Sequence, residues 1–445
     1  MTSPTPQQPH IAPQAPGAPT EAPAAYQETR IERVIGRGFA WVTDRARAPY
    51  QSAVIRIGFA ATWLLFLLRE WPYRQQLYGP TGPWDFGMVR QLLNSNHGFS
   101  VLLWSDSRGW FECVYLLAIV AGALLMLGWR TRTMSVLFMV GVLSLQNRSV
   151  FIGDGGDNVI HLMSMYLVLT RCGQVWSLDA RRARRTAAAA PDTGGAPRDV
   201  AGIVLWAVLG LALAAAQLAG APGLTWFGHG PFPHFGWSLA LWGLWATHGL
   251  WWAVGRYAPG EPRIVLDTLA KLAHNAALLV IMVEVCLVYA TAGWYKIQGS
   301  RWQDGTAVFY PMHLDYFSPW PGLSHLLAGN GLVIMLLTYG TVICQVAFPF
   351  TLANRRLKNA LLVVMICEHL SIAFLLGLPF FSLAMITADA VFLPTGLLIW
   401  FGGRLSHLRG RLFPRTGGHG PDAASGSGGA EAAARSEDGG HTLVG

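Results

Sequence analysis

Hydrophobic positions along the chain gather into long runs with few charges, and the polar segments between them are mostly short. The hydrocarbon core of a bilayer is about 30 Å thick and takes about 20 apolar residues of helix to cross, so runs of that size predict transmembrane helices. Ten segments qualify: 52–69, 111–128, 133–151, 157–172, 201–220, 236–256, 268–296, 331–352, 359–377 and 380–401. The fourth is short and begins with a charge, and the tenth contains Asp389 and Pro394. The predicted fold is all-α, a polytopic transmembrane helical bundle of about ten spans.

Lys and Arg in short connections collect on the cytoplasmic side of a membrane protein. Here they collect in alternate connections: Arg45 and Arg47 before the first span, Arg130 and Arg132, the run Arg181 to Arg185, Arg256 and Arg263, Arg355 to Lys358, and Arg404 to Arg415. The intervening connections are poor in them: 221–235 has none, 298–329 has only Arg301, and 70–110 spreads Arg74, Arg90 and Arg108 along its length. Ten spans with both the N-terminus and the C-terminus cytoplasmic follow, in a bacterial inner membrane. Residues 1–49 read as a tail and basic flank, 50–402 as the transmembrane domain, and 403–445 as a second basic flank and tail. The Pro/Ala/Gln-rich 1–29 lacks the apolar core of a signal peptide, so the first span is expected to direct insertion. That segment and the Gly/Ala/Ser-rich stretch from about 416 are expected to be disordered.

Composition agrees with this reading: 52% hydrophobic and 13% charged residues, with a mean hydropathy of +0.36, exclude an ordinary soluble domain. The 19 Trp and 21 Phe suit many crossings, because amphipathic rings collect where helices leave the hydrocarbon. A net charge of +8 raises nucleic acid as a partner, but the basic residues form clusters between apolar runs and no continuous stripe, which excludes it. Cys113, Cys172, Cys286, Cys344 and Cys367 show no metal-ligand spacing and read as packing residues. The connections 70–110 and 298–329, rich in Trp, Tyr, Pro and Gly, are long enough to cap the bundle.

Ionisable groups at membrane depth carry the information, since hydrocarbon penalises a charge by several kcal/mol unless it is paired or lines a cavity. In "GDGGDNVIH", Asp154, Asp157 and Asn158 sit at a Gly-rich break with His161 about a turn further on. They read either as helix caps or as groups lining an outer pocket. In "VEVCLVYATAGWYKIQGSRWQDG", Glu284 lies deep in the seventh span and Lys296 near its outer end, followed by Trp302 and Asp304. Tyr289 and Lys296 are seven residues apart and share one side of the helix. Lys296 either snorkels to the headgroups or, held in a partly dry pocket, is available as a neutral amine base. Glu368 and His369 are adjacent in the ninth span, about 100° apart. Asp389, with Thr387 nearby, can pair with one of the basic groups, and periodicity does not show which partner it finds.

Four pieces, "FECVYLLAIVAGALLMLGWRTR", "LSLQNRSVFIGDGGDN", "AGWYKIQGSRWQDGTAVFY" and "HLSIAFLLGLPFFSLAMI", resemble in order and spacing the horizontally transferred transmembrane (HTTM) domain family, related to the membrane part of vitamin K-dependent gamma-carboxylase. The resemblance covers roughly residues 50–400, and the group is also similar to a bacterial membrane protein that matures a sporulation-delaying peptide toxin. It implies a chemistry in which a neutral lysine deprotonates vitamin K hydroquinone, oxygen is added, and the strong base formed removes a proton from glutamate before carbon dioxide attacks. Lys296 falls where that lysine is expected and His369 matches a histidine in a later span; another functional histidine of that enzyme falls at or beside Asn158. No counterpart of the large extracytoplasmic region that binds propeptides is expected from 403–445, and 201–256 reads as an inserted pair of spans.

Two functions compete. One is an enzyme acting on a reduced quinone of the vitamin K or menaquinol type. Its catalytic groups are Lys296, His369 and Asn158, and its site is lined by Asp154, Asp157, His161, Tyr289, Trp302, Asp304 and Glu368. The other is a non-enzymatic factor for maturation, export or immunity of a secreted peptide, using the outer connections. A secondary transporter would be expected to show inverted repeats, and no repeat is detected.

Overall fold

The computed structural model describes residues 30–189, 199–228 and 234–412, which leaves the two expected disordered tails outside the described residues. The described chain is helical apart from a two-residue antiparallel pairing of β1 (Phe227–Gly228) with β2 (His234–Phe235).

The basic N-terminal flank holds helix α1 (Arg30–Thr43). Next comes α2 (Pro49–Glu70), whose leading proline suits a first helical position because its missing N–H has no partner there anyway. The first long connection contains α3 (Arg74–Tyr78) and α4 (Phe86–Asn96), the latter capped by Asp85. A tight pair follows, α5 (Arg108–Leu127) and α6 (Thr131–Arg148), joined at Gly128, whose φ of 72° is the left-handed geometry that closes a helix. Then come α7 (Gly155–Leu169), α8 (Leu178–Ala189), α9 (Val200–Leu218), α10 (Trp237–Tyr257) and the 38-residue α11 (Glu261–Gln298). After α12 (Ser300–Gln303) and α13 (Pro321–Ala328) come α14 (Gly331–Ala347), α15 (Arg355–Leu375) and α16 (Pro379–Asp389). A last helix, α17 (Thr395–Leu412), forms a separate unit.

Each of the ten expected segments coincides with a helix or, for the tenth, with α16 and α17 on either side of Pro394. Six helices are long and apolar enough to cross a membrane by themselves: α2, α5, α9, α11, α14 and α15, or seven with the broken α16 and α17 counted as one. The others fall short for visible reasons. Hydroxyls at Thr131, Thr133, Ser135 and Ser144 dilute α6, α7 has 15 residues, and five tryptophans lower the hydropathy of α10.

One hydrophobic core runs through α2, α5, α6, α7, α11, α15 and α16. The pair α9 and α10 sits at its flank, held together by Trp206 and Trp245, whose rings stack at 4.2 Å. Each indole N–H donates to the other's backbone carbonyl at 3.0 Å. A Cβ at Gly210 would meet the Trp245 ring at 2.5 Å, so the glycine makes this stack possible.

Alternate connections assemble at opposite ends of the bundle. At one end the buried Arg148 donates to the carbonyls of Gly79 and Trp84 at 2.7 and 3.0 Å. There too, Trp237 donates to His97 O, Gly156 abuts Phe381, and Trp320 stacks on Phe374. At the other end the buried Arg56 donates to Cys172 O and Trp176 O, Arg47 N–H donates to Asn275, Arg130 pairs with Asp199, and Lys358 donates to Phe392 O.

Candidate functional site

Within the core, α11, α15 and α16 each contribute one polar side chain to a single contact. Tyr289 belongs to the buried stripe Leu278, Ile281, Val285, Tyr289 and Gly293 of α11, and His369 continues the stripe Leu362 and Met365 of α15, both at helical spacing. The Tyr289 hydroxyl lies 2.9 Å from both carboxylate oxygens of Asp389 and 3.0 Å from His369 Nε2. Exposures are 1%, 0% and 1% for Tyr289, Asp389 and His369. The rings of Phe348 and Phe381 close on Tyr289 and His369 at 5.5 and 5.7 Å. The Tyr289 hydroxyl donates to Asp389, and His369 Nε2 meets the same hydroxyl oxygen. That leaves His369 Nδ1 buried without a partner among the described residues, as is Ser382 Oγ of α16.

A second chain of contacts reaches the same stretch of α15. Lys296 Nζ donates to Gln345 Oε1 at 2.6 Å, and Gln345 Nε2 donates to Glu368 at 2.8 Å. Thr341 also bonds Glu368, and Lys296 Nζ stands 5.2 Å from the Trp302 ring centroid. The amide of Gln345 is thereby oriented at both ends, carbonyl toward the amine and NH2 toward the carboxylate. Tyr289 and Lys296 thus do share one side of α11, and their partners His369 and Glu368 are neighbours in α15. At about 1.5 Å per residue, Lys296 lies near the end of α11, Tyr289 about 10 Å deeper, and Asp389 about 15 Å along α16.

The other predicted residues lie elsewhere. Asp154 and Asp157 form a capping box for α7, in which Asp154 accepts from Gly156 N–H at 2.7 Å and Asp157 accepts from Asp154 N–H at 2.9 Å. This is the capping alternative, and it occupies both carboxylates. Asn158 is exposed. His161 bonds Gln146, which in turn donates to Asp157 O. The turn reaches His369 only through packing: a Cβ on Gly156 would lie 2.6 Å from Phe381 Cα, and the Phe381 ring packs on His369. Asp304 is exposed, and the Thr306 hydroxyl, its backbone N–H and Arg301 hold its carboxyl below the usual range. Glu284 accepts from Tyr166 and stands apart. Asp389, whose partner the sequence left open, meets the Tyr289 hydroxyl.

Gln345, Thr341 and Ser382 escape a search for ionisable groups because they carry no charge. Their signal is a polar residue within an apolar run, as in "GTVICQVAF". Among the described residues no His, Cys, Asp or Glu cluster can hold a metal ion, and all five cysteines are free. Compared with family models, curated proteins and solved structures, the chain matches none. Fold and site together define an all-helical protein with several helices apolar enough for a membrane and a closed polar cluster among them.

Proposed function

We propose that the chain is a ten-span protein of a bacterial inner membrane with both termini cytoplasmic, and that α11, α14 and α15 hold a site for a lipid-soluble hydroquinone of the vitamin K or menaquinol type. The topology is supported by the gathering of arginine-bearing connections at one end of the bundle. Helices α6, α7 and α10 supply the remaining spans, since a helix packed among others tolerates hydroxyls and indoles that satisfy one another. The resemblance to the HTTM and gamma-carboxylase family, carried by "AGWYKIQGSRWQDG", points to the same chemistry.

One observation carries the functional reading: a half-buried lysine at a span's end is joined through a single amide to a carboxylate, next to a fully buried Tyr–His–Asp contact. The donor set fits a hydroquinone at Lys296, where the Trp302 ring offers aromatic surface. It does not fit one at Tyr289, where the three polar groups are closed over. A reduced quinone at Lys296 supplies a hydroxyl proton, and a neutral amine there takes it up. Glu368, across the amide, offsets the positive charge that Nζ gains. Gln345 orients both groups and is not itself a proton carrier, because an amide has no readily transferred proton. Tyr289, His369 and Asp389 are positioning residues that set the register of α11, α15 and α16.

Mass spectrometry of lipids and quinones copurifying with detergent-solubilised protein tests this reading. A stoichiometric quinone in the wild type, lost in Lys296→Ala, is expected. No quinone in either protein overturns it.

A second reading rests on the 298–329 connection, where Tyr316 and Leu326 are 83% and 73% exposed. Such a surface suits a non-enzymatic factor for maturation, export or immunity of a secreted peptide. Substitutions there that alter secreted peptides as deletion does would favour it; an unchanged secretome would exclude it.

A further inference from the structure

The end of the bundle opposite Lys296 carries an open cleft of about 680 Å³ between the α5–α6 turn, the end of α7, α8 and the start of α9. Five arginines line it: Arg130, Arg132, Arg171, Arg182 and Arg184. Its two carboxylates are already committed. Asp179 caps α6, accepting from the N–H groups of Arg130 and Thr131 at 2.8 and 2.7 Å and from the Thr131 hydroxyl. Asp199 takes both terminal nitrogens of Arg130 at 2.8 and 2.6 Å and also meets Arg182 at 3.4 Å. Arg132, Arg171 and Arg184 are left without either.

An independent observation concerns Trp251. The guanidinium carbons of Arg132, Arg263 and Arg171 lie 4.1, 4.3 and 6.0 Å from its ring centroid. A single carboxylate, Asp267, serves two of them, at 3.2 Å from Arg263 and 3.9 Å from Arg171. The Arg132 guanidinium makes no ion pair or hydrogen bond with any described residue. Three like charges around one ring, sharing one counter-charge, repel unless an anion joins them.

We infer that this cleft binds the phosphate of an anionic phospholipid headgroup, with Arg132 and Arg171 as its main contacts and Arg184 at the rim. A guanidinium presents paired N–H donors that match phosphate oxygens. Basic pockets between spans on the cytoplasmic side recognise such headgroups. A lipid is favoured over a soluble phosphate because the cleft opens at helix ends, and the adjoining α9 shows an exposed apolar face, Val200, Val204, Val208 and Leu211, along which acyl chains can lie. This inference rests on the proposed membrane topology and not on the hydroquinone reading.

The test follows the thermal denaturation midpoint of the full chain in neutral detergent while phosphatidylglycerol, phosphatidylcholine or inorganic phosphate is added at constant ionic strength. Phosphatidylglycerol alone is expected to raise the midpoint. Its half-maximal concentration should rise about tenfold or more in Arg132→Gln or Arg171→Gln, since one charge-assisted contact is removed. Arg256→Gln, at the same end but outside the cleft, should behave as wild type. If those two variants do not fold, Arg184→Gln on the exposed face of α8 serves, with a smaller loss expected. An equal effect of phosphatidylcholine, the same shift from inorganic phosphate, or cleft variants that bind as wild type would each overturn the inference.

Discussion

Tyr289 donates its hydroxyl proton to Asp389 across 100 residues of sequence, at 2.9 Å from either carboxylate oxygen, in a place where neither side chain is more than 1% exposed. No cation among the described residues pairs with this carboxylate. A buried acceptor stripped of its donor keeps its desolvation cost and loses the compensation. Tyr289→Phe is therefore expected to cost about 2 kcal/mol, seen as a lowered denaturation midpoint. Asp389→Asn should cost less, because it keeps an acceptor and removes the charge. Equal midpoints for wild type and Tyr289→Phe would show that the contact contributes nothing.

Lys296 and Gln345 offer a separable test of the proposed base. Lys296→Arg keeps the charge but cannot lose a proton near neutral pH, so turnover of a reduced quinone should be lost while the fold survives. Gln345→Leu leaves Lys296 and Glu368 each short a partner and is expected to lower quinone retention as far as Lys296→Ala does. Wild-type behaviour of Lys296→Arg and Lys296→Ala together would end the base assignment.

Gly156 is where the α7 turn meets α16. A methyl group there falls 2.6 Å from the backbone of Phe381, so Gly156→Ala must push the helices apart. A loss of about 1–3 kcal/mol is expected. Gly109→Ala, with nothing within 4 Å, should be neutral or slightly stabilising. The pair of midpoints distinguishes crowding from a general effect of removing glycine.

Arg130 holds the Asp199 carboxyl at about 2, below its ordinary 3.8. A carboxyl depressed in the folded state adds stability that is present above the ordinary value and is lost as pH falls toward 2. The Asp199 side chain is 37% exposed, so the neutral-pH contribution should stay under about 1 kcal/mol. Asp199→Asn should flatten the decline in midpoint between about pH 4 and pH 2. Identical pH profiles would remove the ion pair from the stability of this end.

The spacing of Tyr289, Lys296 and their α11 neighbours was legible because helical periodicity is local: residues seven apart share a side whatever the helix packs against. The positions of the helices were legible for the same reason, since an apolar run of membrane length prescribes an element before any partner is known. The role of "GDGGDN" was not, because a capping box and a pocket use the same residue types. Gln345 was missed because a neutral amide in an apolar run signals nothing until an amine and a carboxylate are seen on either side of it.

By itself, then, the sequence determined an all-helical chain, the places of its long apolar helices, and the side of α11 that bears both Tyr289 and Lys296. Only the tertiary structure decided that Asp389 meets Tyr289 and not a basic group, that Asp154 and Asp157 cap each other's turn, and that three arginines gather on Trp251. Those partners lie on different helices, and which side chains meet depends on the rotation and depth at which helices pack, quantities that no local period encodes.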